Sequence, residues 1–413
     1  VDLEKDRGIT GRVLFIDAMV PRPDRDAGSY AAIQEIRLVQ SLGYKVTFLP
    51  QNLAHLGGYT EELERMGVEV IYAPFFLSMA DYLDRHGADF DAFYITRYYV
   101  ARAVLDLIDR TAPGTPVLFN NADLHFLREL RAGLAANDAE QVAASKVTRE
   151  LELDVMRRVD VVLSYNETEH SVIESHSDGA VQVVRCPWVA DLPAEVPGLE
   201  GRSGLSFLGN YLHKPNAEAV EWFARQVMPL LQGKAPDLIF SIYGAAMPDE
   251  IKALASDTIH AEGFVETVSD VYDRHRIFVA PLLSGAGIKG KVLAALAHGV
   301  PTVLSPLAAE GIGLRNRHDC LIAKTPQDWV SAIRAPVGEC PDLYPRQLWL
   351  RHRPRTDARS LRGRGYLQRP ALMEEGTVLL KQPSEDRMTR TVILHYHLFK
   401  NAGSTLDWSL HRQ

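Results

Sequence analysis

"RIFVAPLLSGAGIKGKVLAALAHGVPTVLS", residues 276–305, reads as a strand, a glycine-rich loop, a helix and a second strand. "RIFVAP" (276–281) is a buried strand. The helix has apolar residues at Val292, Leu293, Leu296 and Ala297, and it stops at Gly299 ahead of Pro301. Strand–helix–strand units of this kind build parallel sheets covered by helices on both faces. Between the first strand and the helix lie Gly285, Gly287, Lys289 and Lys291. Glycines let backbone N–H groups approach a ligand closely, and a helix start carries positive partial charge. Two ammonium groups at that turn make it a phosphate seat. The alternative, solvated surface lysines, is disfavoured because lysine opposes the dipole at a helix start.

The same alternation extends through most of the chain. "RVLFID" (12–17) and "KVTFLP" (45–50) read as strands flanking a helix over 29–43. Strands follow in "VEVIYA", "DAFYIT" and "PVLFNN", then a helix over 138–158, then "DVVLSYN" and "VQVVRCP". A stretch rich in proline and glycine, 189–204, reads as a linker. Alternation restarts with "LSFLGN" (205–210), a helix over 216–231, "DLIFSIYG" (237–244), a helix from Asp249, "TIHAEG" and the opening unit. The expected fold class is α/β, with two doubly wound domains, 10–190 and 204–334, facing across a cleft. Ligands bind outside the carboxyl ends of strands in such sheets, which is where the glycine–lysine turn falls.

The 413 residues, 46% of them hydrophobic and 24% charged, are those of an ordinary globular protein with room for two or three domains. A net charge of -8 argues against a nucleic-acid partner. Cys186, Cys320 and Cys340 are odd in number and lack metal-ligand spacing, so a reducing compartment, the cytoplasm, is expected. No apolar run reaches the ~20 residues of a membrane span, and no signal peptide is expected from the opening residues. Because it begins at Val1, the chain is expected to be a piece of a longer polypeptide with neighbouring domains. "DRD" (24–26) has a metal-binding form, but its place before "AGS" gives Asp26 a loop role, and no metal site is expected. Residues 346–369 hold eight arginines and no lysine. They read as part of a basic, solvated linker over 335–390, or as a local shift of reading frame.

"LSFLGNYLHKPNAEAVEWFARQVMPLL", "GFVETVSDVYDRHRIFVAPLLSGAGIKGKVLAALAHGVPTVLSPLAAEGI" and "DWVSAI" together resemble the carboxyl half of family 4 glycosyltransferases, which have the GT-B architecture of two Rossmann-like domains. "VLFIDAMVPRPDRDAGSYAAIQEIRLVQSLGYKVTFLPQN" and "NNADLHFLREL" resemble the amino-terminal domain of a bacterial subgroup found in multidomain surface-polysaccharide enzymes. The resemblance implies a nucleotide-sugar donor in the second domain, a glycan or lipid-linked glycan acceptor largely in the first, and retaining transfer without a metal. It implies a phosphate-contacting role for Lys289, flanked by Gly285, Gly287 and Lys291. Glu310, in "AAEG", matches an acidic position near the donor sugar. Phe264 and Val265 match the turn whose backbone meets the base. Gly209 and Lys214 fall in the donor-binding segment after "SFL". Gly28 and Ser29 match the loop beside the donor phosphates, and Asp123 and His125 a loop facing the reacting centre. Asp123 and Glu310 each have a plainer reading as helix caps, of "LHFLREL" and "GIGL".

Two glutamates that many family members place eight residues apart are Ala286 and Ala294 here, and the arginine usual after "FLG" is Asn210. Loss of the second glutamate removes a charged hydrogen bond, about 1.5–3 kcal/mol. These departures motivate a rival reading, a catalytically inactive sugar-nucleotide-binding module. A nucleotide-sugar epimerase of the same architecture is a further alternative. Finally, "TVILHYHLFKNAGSTLDWSLHRQ" (391–413) resembles the phosphosulfate loop that opens sulfotransferases, with Lys400, Gly403, Ser404 and Thr405 at the matching positions. Phosphoadenosine phosphosulfate (PAPS) is implied as a ligand only if a complete domain followed.

Overall fold

The computed structural model describes residues 8–186, 188, 193 and 196–335, together with the backbone of 377–381 and 391–395. The arginine-rich stretch 346–369 and the Lys400–Thr405 turn lie outside the described residues.

Two parallel sheets organise the first unit of the chain. The first has seven strands in the order β3-β2-β1-β4-β5-β6-β7. They are β1 (Gly11–Asp17), β2 (Tyr44–Pro50), β3 (Glu69–Val70), β4 (Ala92–Thr96), β5 (Val117–Asn120), β6 (Val161–Ser164) and β7 (Val183–Arg185). The second has six strands in the order β10-β9-β8-β11-β12-β13. They are β8 (Ser203–Leu208), β9 (Phe240–Tyr243), β10 (Ile259–Gly263), β11 (His275–Ala280), β12 (Thr302–Leu304) and β13 (Leu321–Ile322). Strand order reverses beside β1 in one sheet and beside β8 in the other, which opens a crevice at each carboxyl edge.

Packing follows from the apolar strand sequences. Leu14, Ile16, Phe93 and Phe119 are buried in the first core, and Phe207, Phe240, Phe278 and Trp329 in the second. The strand expected in "VEVIYA" shortens to Glu69–Val70, because this edge strand has only β2 to pair with. The helix expected over 216–231 runs from Lys214 to Gln232 in three pieces, with a π-helical segment at Phe223–Val227. Pro229 lacks an N–H and its ring crowds the preceding turn, so the wider segment just before it relieves that clash.

One glycine pair fixes the approach of β8 to β9. Gly244 has φ 144, and a Cβ there would stand 1.6 Å from the Gly209 carbonyl oxygen. Gly244→Ala is therefore expected to destabilise the protein by about 4 kcal/mol or more, read as a large drop in the thermal unfolding midpoint.

In the second unit, β14 (Thr377–Lys381) and β15 (Thr391–His395) form an antiparallel pair, with Thr377 opposite His395 and Lys381 opposite Thr391.

Candidate functional site

The glycine–lysine loop connects β11 to the helix Gly290–Ala297, at the carboxyl edge of the second sheet. Gly285 and Gly287 have φ 124 and 71, which side chains disfavour. Lys289 is the N-cap residue but supplies no side-chain acceptor, and the first turn holds no acidic residue. Across the crevice starts the helix Ala27–Ser41 of the first domain. A Cβ on Gly290 would come 3.1 Å from the Ala27 Cβ and 3.2 Å from the Trp188 ring. Two helix N-termini therefore abut, and their positive ends meet. Asp26 caps the first-domain helix through the Ser29 N–H (2.7 Å) and hydroxyl (2.9 Å), so Ser29 is buried and committed, with Gly28 exposed beside it. In "DRD", Asp24 takes the Tyr59 hydroxyl at 2.9 Å. Both of its carboxylates thus serve protein groups.

Lys289 is only 8% exposed. Its Nζ donates to the Ala286 carbonyl at 3.1 Å and to that of Gly287. Burial pushes its pKa down to about 8, against the pull of Glu310, Glu169 and Asp123 and with Arg131 adding to the depression. Lys291 is partly buried, donates to Asn216 Oδ1 at 2.6 Å and sits 4.4 Å over the Phe207 ring centroid. Burial and then neighbouring Lys289 lower its pKa to about 7. Burying an ammonium is costly unless an anion arrives, so this loop is poised to gain from one.

The first domain closes over the loop. Arg131, on the helix His125–Ala136, makes a bidentate pair with Glu310 at 2.8 Å for both contacts and reaches the Gly285 carbonyl at 3.3 Å. Glu169 accepts the Gly287 N–H at 2.9 Å and the Asn121 side-chain amide at 3.1 Å. Burial and then the Asp123 charge raise its pKa to about 7. The Asp123 Cβ lies 3.1 Å from where a Gly287 Cβ would stand, and its carboxylate pairs with Arg128. His125 Nδ1 lies 3.4 Å from Glu152, and its ring meets the edge of Tyr98. Asp123 is not the cap of this helix. Glu152 takes that role, accepting the His125 and Phe126 N–H groups at 3.0 Å each.

On the far side of the crevice Phe264 is 49% exposed, with the Arg25 guanidinium 5.3 Å from its ring centroid, while Val265 packs against the second core. Asn210 bridges to the Arg25 carbonyl at 2.9 Å. At Gly209 a Cβ would meet the Asn216 side chain at 2.8 Å. The Lys214 side chain is 85% exposed and pairs with Glu218 on its own helix at 3.3 Å. The structure thus gathers Lys289, Gly285, Gly287, Glu310 and Asp123 and leaves Lys214 facing solvent. Arg131, Glu169 and Asn121 went unnoticed in the sequence, since nothing in "HFLRELR" tells which face meets a residue 179 positions away. Among the described residues no group of three His, Cys, Asp or Glu side chains is placed to hold a metal, and no helix is long and apolar enough to cross a membrane.

Residues 202–337 match the family described as "Glycosyl transferases group 1". Over 126 residues the chain is 29% identical to an "Uncharacterized 44.6 kDa protein in cps region" of Klebsiella pneumoniae. That match takes in 28% of this chain and spans about a third, 32%, of the relative's length. Sucrose-phosphate synthase from Thermosynechococcus elongatus superposes with a TM-score of 0.61 at 12% identity, over 78% of this chain and 89% of that one. Anabaena HepE in complex with UDP superposes at 0.59 and 12% identity, over 79% and 90%. The chain thus has the α/β GT-B fold of two doubly wound Rossmann-like domains, and its second domain carries the group 1 glycosyl transferase match.

Proposed function

We propose that the protein is a glycosyltransferase that moves a sugar from a nucleotide-sugar donor to a glycan or lipid-linked glycan acceptor. The observation that carries this reading is the buried Lys289 ammonium, held on a glycine loop where two helix N-termini abut. As the bond from the sugar's anomeric carbon to the phosphate oxygen breaks, negative charge grows on the leaving diphosphate. The loop N–H groups and Lys289 stabilise that charge as the acceptor hydroxyl oxygen bonds to the same carbon and its proton passes to the departing diphosphate. With this preorganised charge in place, transfer proceeds without a metal; retention at the anomeric carbon is what the family resemblance implies. Phe264 and Val265 meet the base, Glu310 the donor sugar, and Gly28 and Ser29 lie beside the phosphates. Asp123 and His125 face the reacting centre.

A thermal-shift screen of UDP, GDP, ADP and their sugars tests the donor. At a ligand concentration of about 100 Kd, stabilisation of about 2.7 kcal/mol is expected for the matching base. Transfer to a glycan panel is expected to survive EDTA; loss of turnover on chelation would sink the metal-free mechanism. A second reading, binding without catalysis, is favoured by one observation: Ala294 packs against the second core and offers no carboxylate to a donor. Binding without turnover across the whole panel would select it.

A further inference from the structure

Glu169 belongs to none of the motifs read from the sequence, yet it touches both loops that face each other in the site. It lies in the first turn of the helix Glu167–Ser177, where its N–H donates to Asn166 Oδ1 at 2.7 Å. The side chain is 2% exposed, so its carboxylate loses almost all hydration. Hydrogen bonds replace that hydration from two directions. The Gly287 N–H donates from the glycine–lysine loop at 2.9 Å. The Asn121 amide donates at 3.1 Å, from the loop that leads into Asp123. One carboxylate therefore joins two loops that belong to different domains and lie far apart in the chain. Above about pH 7, where the group is ionised, bonds to this charged acceptor are strong and directional enough to hold such loops in register.

We propose that Glu169 is a positioning residue that locks the glycine–lysine loop against the Asp123–His125 loop and so sets the distance between the two halves of the site. The claim rests on the donor-site reading of the Lys289 loop only for its effect on turnover; the locking itself does not depend on it. Removing the carboxylate leaves the Gly287 N–H and the Asn121 amide without their acceptor. A loop shift of about 1 Å then costs turnover about a hundredfold. Glutamine can replace most of the bonding. Its carbonyl accepts from Gly287, and its NH2 donates to Asn121 Oδ1, which has no partner at present. This requires only that the Asn121 amide turn over.

Hydrogen–deuterium exchange on the unliganded full chain tests the lock. In Glu169→Ala, a peptide spanning 284–292 is expected to exchange at least about tenfold faster, while the helix Pro326–Arg334 stays protected. In Glu169→Gln the loop is expected to stay within about threefold of wild type. Unchanged loop exchange in Glu169→Ala, or equal loss in both variants, would overturn the proposal. Should wild type bind no nucleotide sugar while the exchange pattern holds, the donor reading falls and the positioning role stands.

Discussion

Lys289→Ala is expected to remove the thermal response to nucleoside diphosphates and to lower transfer by about a thousandfold. The magnitude is that of losing a preorganised charge at an oxyanion site, about 10²–10³ per donor and at the upper end for a full cation. The environment of Lys289 explains why so much rests on it. Its ammonium is buried and donates to the Ala286 and Gly287 carbonyls, not to a carboxylate partner. An incoming diphosphate would face a cation that has already lost most of its hydration, so little solvent must be reorganised.

The pH dependence has a definite sign. The pKa falls from 10.5 to about 8 in the folded, unliganded protein, mainly through burial. Between those values the unfolded chain binds more protons than the folded one, so folding stability rises with pH across that window. Below about pH 8 the buried charge is a net cost. Unliganded Lys289→Ala is therefore expected to melt no lower than wild type at pH 7, and wild type gains on it as pH rises from 8 towards 10. The kcat/KM of wild type is expected to fall above about pH 8, as the cation proposed to bind phosphate is lost. Equal ligand-induced shifts in both proteins at pH 7 would remove the phosphate assignment.

Charge reversal at the Arg131–Glu310 pair is the second large effect. Both side chains are about three-quarters buried, and the fork-to-carboxylate geometry is bidentate across the domain interface. Arg131→Glu puts two carboxylates face to face and is expected to lower both the unfolding midpoint and turnover, the latter about a hundredfold. The double swap, Arg131→Glu with Glu310→Arg, restores an opposite-charge pair. Stability should return by a coupling of about 1–3 kcal/mol. Turnover should not return, because the swap takes the carboxylate from the position proposed to meet the donor sugar. Recovery of stability and activity together would reduce Glu310 to an interdomain tie and clear it of any part in sugar recognition.

How much of this was legible in advance depended on the range of the interactions. The strand–loop–helix unit around Lys289 was readable because each signal lies within a few residues. β-rich apolar runs, glycines needed at positive φ, and helical spacing at Val292 and Leu296 are local physics. Alternation of the same kind announced two parallel sheets. The break in the helix before Pro229 was foreseeable from proline chemistry, but its form as a π-helical segment was not. The reading of Asp123 as a cap failed because Glu152, far along the chain, reaches the helix start first.

The amino-acid order alone determined the α/β alternation, the glycine–lysine turn and the residue types that fill it, since backbone preference and periodicity act over short separations. Only the tertiary structure decided which side chains share that turn. Arg131 on Glu310, Glu169 on Gly287 and Ala27 against Gly290 each join residues from two domains. Such pairings depend on how two separately formed sheets dock, and docking is set by the fit of whole surfaces, which no local run of residues encodes.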